Sequence, residues 1–181
     1  MRKLIMWNII TLDGYFEGIQ HWDLPFHELV WGPELEALSI EQLRSADHLV
    51  FGRVTYEGMA AYWKTEQGEI ADRMNSISKL VCSTTMTHAD WQNSTLLRNN
   101  VAEEIRSIKA QPGGDMYVFG SANLSETLIK ADLFDEYRIG IAPVLLGRGR
   151  LLFRPDFVPL QLQLLSAQTL QNGGVVLRYA R

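Results

Sequence analysis

Three short stretches of the sequence combine residue types that could hold a phosphate-bearing ligand. In "LVFGRVTYEGM" (49–59) an apolar run ends at Gly52 and is followed by Arg53, Val54 and Thr55. Glycine lets another group come close to the backbone. The guanidinium of Arg53 offers a planar fork of donors suited to a phosphate monoester. Thr55 could cap a following helix, whose unpaired N–H groups and partial positive charge favour an anion. A capped helix beside a solvated arginine is the competing reading. "YVFGSANL" (117–124) has the same shape, an apolar strand running through Gly120 into a helix that Ser121 could cap. "CSTT" (82–85) ends a third strand in hydroxyls, with Ser83 and Thr84 able to meet a nucleotide. Packing and capping would explain each stretch alone. Together, two strand–glycine–helix junctions place two helix N-termini at the carboxyl edge of one sheet, where open α/β sheets bind ligands.

The elements needed to position these groups can be read along the chain. "KLIMWNII" (3–10) is apolar on both faces, as a central strand covered on both sides should be. A glycine-bounded loop at 13–18 and a short helix within 22–31 follow. A second helix is expected within 33–46, where Leu35, Leu38, Leu43 and Ala46 can share a face. Strands are expected at 48–51, 79–83 and 116–120, and helices from about Thr55, at 101–110 and at 121–131. Beyond residue 136 the pattern turns β-rich, with strands at 136–142, 160–165 and 174–180 and "QNGG" (171–174) as a hairpin turn. Strand–helix units followed by antiparallel strands predict one three-layer α/β domain over 1–181, built on a mixed, mostly parallel sheet flanked by helices.

Composition removes several function classes. Lys+Arg number 17 against Asp+Glu 21, for a net charge of −4, whereas nucleic-acid and anionic-membrane binders usually carry a basic excess. No apolar run approaches the ~18 residues of a membrane span. The single cysteine, Cys82, forbids an intrachain disulfide, and a cytoplasmic location follows as the expectation. The four histidines lack metal-ligand spacing, so no metal is expected. Neither G-x-G-x-x-G nor G-x-x-x-x-G-K-[ST] occurs, and "GRGR" (147–150) reads as a solvated turn.

In their order, "TLDGYFEG" (11–18), "FGRVTYEGM" (51–59), "KLVCST" (79–84), "YVFGSANLSETLIKADLFDE" (117–136), "IAPVLLGRGRLLF" (141–153) and "NGGVVLRYA" (172–180) span nearly the whole chain. In these stretches the chain resembles the dihydrofolate reductase-like superfamily. The resemblance is strongest to its bacterial branch related to the reductase domain of the riboflavin-biosynthesis deaminase/reductase. The zinc motifs of the deaminase half are absent. The resemblance implies the dihydrofolate reductase-like fold, with NADPH lying across the carboxyl edge of the sheet. Arg53 would hold the adenosine 2′-phosphate and Thr55 the pyrophosphate, with Gly52 and Val54 beside them. Ser83 and Thr84, with Cys82, would sit near the adenosine phosphate. Gly120, Ser121 and Ala122 would turn against the pyrophosphate and nicotinamide ribose, with an unusual peptide bond at Gly120. Phe119, Asn123 and Leu124 belong to the same segment. Phe16, Glu17 and Gly18 would form the loop over the nicotinamide.

On the substrate side, "HWDLPFHELVW" (21–31) matches the true folate reductases at Trp22, Leu24 and Pro25. Where those enzymes carry a buried acid this chain has His27, with Glu28 next to it, which argues against standard folate reduction. In the riboflavin-type relatives the aspartate of "LDG", here Asp13, lies near the substrate. Asp13, Glu28 and His27 are therefore the candidate polar contacts or proton donors. Asn8, Trp22, Phe26, Trp31 and Tyr56 are candidates to meet a planar substrate, with core packing as the competing role of the aromatics. The implied activity is hydride transfer from NADPH to a small heterocyclic or carbonyl/imine substrate, pterin- or aminopyrimidine-like. The alternative is a nucleotide-binding sensor or scaffold that has lost turnover. A homodimer is expected from the resemblance alone.

Overall fold

The apolar runs form the middle of an eight-stranded sheet. The structure, a computed structural model, describes residues 1–155 and 159–181. In chain order the elements are β1 (Leu4–Thr11), β2 (Tyr15–Glu17), a 3₁₀ turn (Pro25–His27), α1 (Pro33–Ser45), β3 (Ala46–Gly52), α2 (Arg53–Trp63), α3 (Glu69–Ser76) and β4 (Ser78–Cys82). They continue with β5 (Ser94–Leu97), α4 (Val101–Ala110), β6 (Asp115–Phe119), α5 (Ala122–Lys130), β7 (Glu136–Ala142), β8 (Arg150–Leu151), β9 (Gln163–Thr169) and β10 (Val175–Ala180). The sheet runs β5-β4-β3-β6-β1-β7-β10-β9, and β2 pairs with β8 in a separate two-stranded ribbon. Every pairing from β5 to β7 is parallel, whereas β10 joins β7 and β9 joins β10 in the antiparallel sense. The mixed, mostly parallel α/β architecture is therefore the one the sequence pattern implied.

Period-two alternation explains why these runs are apolar throughout. Leu4, Met6, Val50, Leu80, Met116 and Val118 face one core layer together with Ile105 of α4 and Leu128 of α5. Their neighbours Ile5, Leu49, Phe51, Val81, Tyr117 and Phe119 face the opposite layer, with Leu43 of α1, Tyr56 of α2 and Met74 of α3. A smaller cluster of Phe26, Val30, Leu35, Ala142, Leu170 and Val176 closes the β7–β10 side.

Several local expectations shift. The loop expected at 13–18 contains β2, which forms because β8 supplies an antiparallel partner. The helix expected within 22–31 shrinks to a 3₁₀ turn at 25–27. The strand expected at 160–165 lies at Gln163–Thr169, set by its register against β10. Helix α3 and strand β5 were not anticipated: α3 is polar on one face, and β5 is a four-residue edge strand. No described helix is long and apolar enough to cross a membrane.

Candidate active site

Strands β3 and β6 are neighbours, so the two glycine junctions meet at the carboxyl edge as the sequence implied. Their coupling is reciprocal. The Gly52 N–H donates to Ser121 Oγ at 2.9 Å, and the Ser121 N–H donates to Thr55 Oγ1 at 3.0 Å. Ser121 Oγ in turn donates to the Phe119 carbonyl at 3.1 Å. Gly120 and Ser121 both have φ of 56°. For Ser121 that left-handed geometry costs ~1–2 kcal/mol, and the bonds at both its N–H and its hydroxyl hold it there. At Gly120 a Cβ would be strained by the left-handed backbone and would stand 3.1 Å from Thr55 Cγ2, so conformation and space both favour glycine.

The brace corrects two expectations. α2 begins at Arg53, so Thr55 sits inside its first turn and does not cap it. Ser121 is the N-cap residue of α5, but its hydroxyl is spent on the brace rather than on that helix. The first-turn N–H groups of α2 and α5 are therefore without side-chain caps, side by side at one sheet edge. The unusual peptide bond expected at Gly120 is not found; among the described residues no peptide bond is cis.

Next to the junctions lies a cavity of about 850 Å³, the size of a small-ligand site. Val54, Thr55, Phe119 and Gly120 form part of its wall, so brace and cavity share residues. Phe16 and Glu17 line it from β2, Trp22, His27, Glu28 and Trp31 from the following segment, and Asn8 from β1. Trp22, with φ of 66°, lays its ring over Gly58 of α2, where a Cβ would meet it at 1.6 Å. Glu17 is buried and organises this segment, accepting from the Trp22 N–H (3.2 Å) and pairing with His21 Nδ1 and Arg150 Nε (3.3 Å each). The "GRGR" stretch thus supplies an ion-pair partner rather than a free turn. Gly18 is buried against the Asp23 side chain.

His27 packs edge-on against Phe26, and burial pushes its imidazole down to about 4. Its Nε2 and the amide nitrogen of Asn8 are buried without a hydrogen-bond partner. The ring is therefore neutral near pH 7, unlike the ionisable acid of folate reductases.

Other candidate residues lie elsewhere. Asp13 does not line the cavity. Its carboxylate accepts from Thr11 Oγ1 (2.6 Å), Leu146 N–H (3.1 Å) and Gly147 N–H (2.7 Å), and these bonds, the Thr11 hydroxyl first, hold it at about 2. It pins one loop to another, the loop-capping role. Phe26 is core, and Tyr56 is core as well, its hydroxyl donating to Ser94 Oγ and accepting from the Trp91 N–H. Ser83 Oγ accepts from the N–H groups of Thr85 and Met86, closing a turn, while Thr84 beside it is exposed. Cys82 packs against the α4–α5 layer, and burial raises its thiol to about 12, so it is a packed thiol and not a nucleophile. Ala122 and Leu124 lie on the buried face of α5, and Asn123 is exposed and accepts from Arg154. Arg53 is exposed at the head of α2, paired with Glu57 at 3.1 Å, on the wall of a second groove of about 800 Å³.

The sequence reading missed Ser39 and Gln42, which bring polarity to the cavity from α1. With Leu35 they recur at i, i+4 and i+7, so a polar pair on the apolar stripe was the available signal. Trp7, Tyr62 and Trp63 add aromatic wall.

Comparison with known proteins places this arrangement. The family model described as the RibD C-terminal domain matches residues 2–176. The chain belongs to the RibD C-terminal domain family. A curated relative, the uncharacterized protein YyaP of Bacillus subtilis (strain 168), is 28% identical over 186 residues, covering 98% of this chain and 94% of YyaP. A Shewanella sp. PV-4 protein provisionally assigned to riboflavin biosynthesis superposes with a TM-score of 0.81 at 22% identity, covering 99% of this chain and 98% of its own. Dihydrofolate reductase from Enterococcus faecalis, solved with NADP(H), gives 0.66 at 15% identity, covering 99% and 96%. Those two likenesses establish the dihydrofolate reductase-like fold, and membership of the RibD C-terminal domain family supports a reductase-type function.

Proposed function

We propose that the protein is an NADPH-dependent reductase of a small heterocyclic or carbonyl/imine substrate, and not a standard folate reductase. The observation that carries this reading is the continuity of brace and cavity: Val54, Thr55 and Gly120 belong both to the paired helix N-termini and to the wall of the aromatic cavity. A dinucleotide has the matching layout, phosphates in the middle and a reactive ring at one end.

The residues present fit NADPH. Arg53 is exposed and would exchange Glu57 for the 2′-phosphate, a partner that NADH lacks. Thr55 Oγ1 accepts from Ser121 and keeps its own proton to donate to a phosphate oxygen. The left-handed Gly120–Ser121 turn leaves the backbone open at the pyrophosphate position. Thr84, which is exposed, would offer its hydroxyl to the adenosine end. When bound, NADPH supplies the hydride. The chain's own part is to position the substrate between aromatic walls and to exclude water. His27 stays neutral and serves as a hydrogen-bonding group rather than an imidazolium acid. Glu28, exposed at the cavity, is the carboxylate placed to relay a proton from solvent. Asp13 is assigned no catalytic part. A cytoplasmic homodimer belongs to this reading, and light scattering showing a monomer would remove the dimer from it.

The test is calorimetric titration of NADPH into the native chain and Arg53→Ala. Loss of a charge-assisted phosphate contact should weaken binding by about 1.5–3 kcal/mol. Unchanged affinity would sink the assignment of Arg53. NADPH oxidation with pterins, aminopyrimidines and small carbonyls then separates a reductase from a binding module: binding without turnover on any of them favours the sensor.

A further inference from the structure

One buried charge takes no part in the junctions or in the cavity beside them. Lys79, on β4, is 0% exposed, and no other lysine of the chain is buried. Lysine is almost never enclosed without an anion. Here the ammonium has neutral partners instead. Its Nζ donates to the Asn75 carbonyl at 2.6 Å and to the Gln92 carbonyl at 3.1 Å, and it lies 4.5 Å from the centre of the Trp91 ring.

These partners belong to two different segments. Asn75 stands in the last turn of α3, where carbonyls lack helical partners and a cation is favoured. Its side chain donates to the Trp63 carbonyl at 2.9 Å and accepts from Trp91 Nε1 at 2.7 Å. Trp91 and Gln92 belong to the 91–93 turn that leads into β5, and the Lys79 N–H donates to the Asn93 carbonyl at 2.7 Å. Asp90 and Trp91 form one part of the wall of the groove of about 800 Å³, and Arg53 and Glu57 of α2 form another. Lys79 therefore ties the end of α3 to a segment that shapes this groove.

The charged groups around it are engaged elsewhere. On α3, Glu69 pairs with Arg73 and Arg44, and Asp72 is exposed. Asp90 faces His88, and the Tyr56 hydroxyl is held by Ser94 and the Trp91 N–H. In the sheet Lys79 is flanked by Leu49 of β3 and Ser94 of β5, and alternation turns His48 to the other face. With no counter-charge, burial pushes the amine down from 10.5 to about 8. A movement that readmits water restores the ordinary affinity for the proton. The opened form then binds the proton more tightly than the closed form, so acid favours opening and alkali suppresses it.

We propose that Lys79 is a proton-linked clasp between the end of α3 and the 91–93 turn: the groove wall carried by that turn opens with uptake of a proton and closes more firmly as pH rises.

The test is amide hydrogen exchange of the intact chain, read by mass spectrometry and corrected for the intrinsic effect of pH. Peptides covering 75–79 and 91–94 report the clasp, and peptides covering β6 report the core. From pH 7 to pH 9 opening at the clasp should fall about ten-fold, the change that follows from 8 in the closed form against 10.5 in the open one. In Lys79→Met, which has no proton to exchange there, opening should stay within two-fold over the same range. Lys79→Gln takes its place if Lys79→Met does not fold. At pH 7 the clasp should open at least ten-fold more often than β6, because the movement is local. Opening that ignores pH or grows with it in the native chain, an equal fall in the variant, or a clasp that opens only as often as β6 overturns the proposal.

Discussion

Replacing His27 with glutamine should make the protein more tolerant of acid. In the folded chain burial holds the imidazole at about 4, against an ordinary value of 6.5. As pH falls through 6.5 the unfolded chain takes up a proton that the folded chain refuses. Stability therefore declines from about pH 6.5 downward, and the loss is complete only below the folded value. A difference of 2.5 pH units corresponds to about 3.4 kcal/mol in full, and to about 1.8 kcal/mol between pH 7 and pH 5. The ring is half-buried, and solvent contact trims this to about 1–2 kcal/mol at pH 5. Urea unfolding of the native chain and His27→Gln at both pH values, with equal m-values, isolates the effect. His48, also lowered by burial, titrates in both proteins and cancels. The native chain should lose about 1–2 kcal/mol more than the variant on going to pH 5. Equal losses would refute the reasoning, because the imidazole would then have to carry its proton in the folded state.

Other perturbations follow from the same contacts. Glu57→Gln releases Arg53 from an exposed pair worth ~0.2–1 kcal/mol, so NADPH should bind about 1.4- to five-fold tighter while NADH is unaffected. Ser121→Ala removes the acceptor of the Gly52 N–H and should cost about 1–3 kcal/mol in denaturant unfolding, with weaker NADPH binding in calorimetry. Gly58→Ala gains up to ~1 kcal/mol of helix propensity but puts a methyl into the Trp22 ring. Because Trp22 is 39% exposed, the ring should swing outward. Near-native stability with greater acrylamide quenching is the expected signature, and unchanged quenching would count against it.

Much of the fold was legible because its signals are local. Alternating apolar residues on two buried faces mark β1, β3, β4 and β6 without any tertiary knowledge, and glycine marks where β3 and β6 give way to helices. The edge where the two glycine junctions meet could be read for the same reason. What escaped depends on partners distant in sequence. Strand β2 exists through β8, more than a hundred residues away. The Thr55 and Ser121 hydroxyls look like caps in a linear reading, and only the adjacency of β3 and β6 turns them toward each other. Asp13 likewise looks free until the loop at 146–147 closes on it. Gln42 hid inside an apolar stripe, because its orientation is set by Arg138 on β7.

The brace between the two junctions also divides what can change from what cannot. The junction edge is fixed by strand ends and by backbone-to-hydroxyl bonds between Gly52, Ser121 and Thr55, so substitutions at those bonds disturb two helix starts at once. The opposite wall comes from α1 and the 16–31 segment, whose cavity-facing side chains take no part in the brace. A lineage, or an engineer, could exchange Glu28, Trp31 or Ser39 and reshape that wall while the two junctions stayed as they are. What the cavity admits can drift independently of the braced edge beside it.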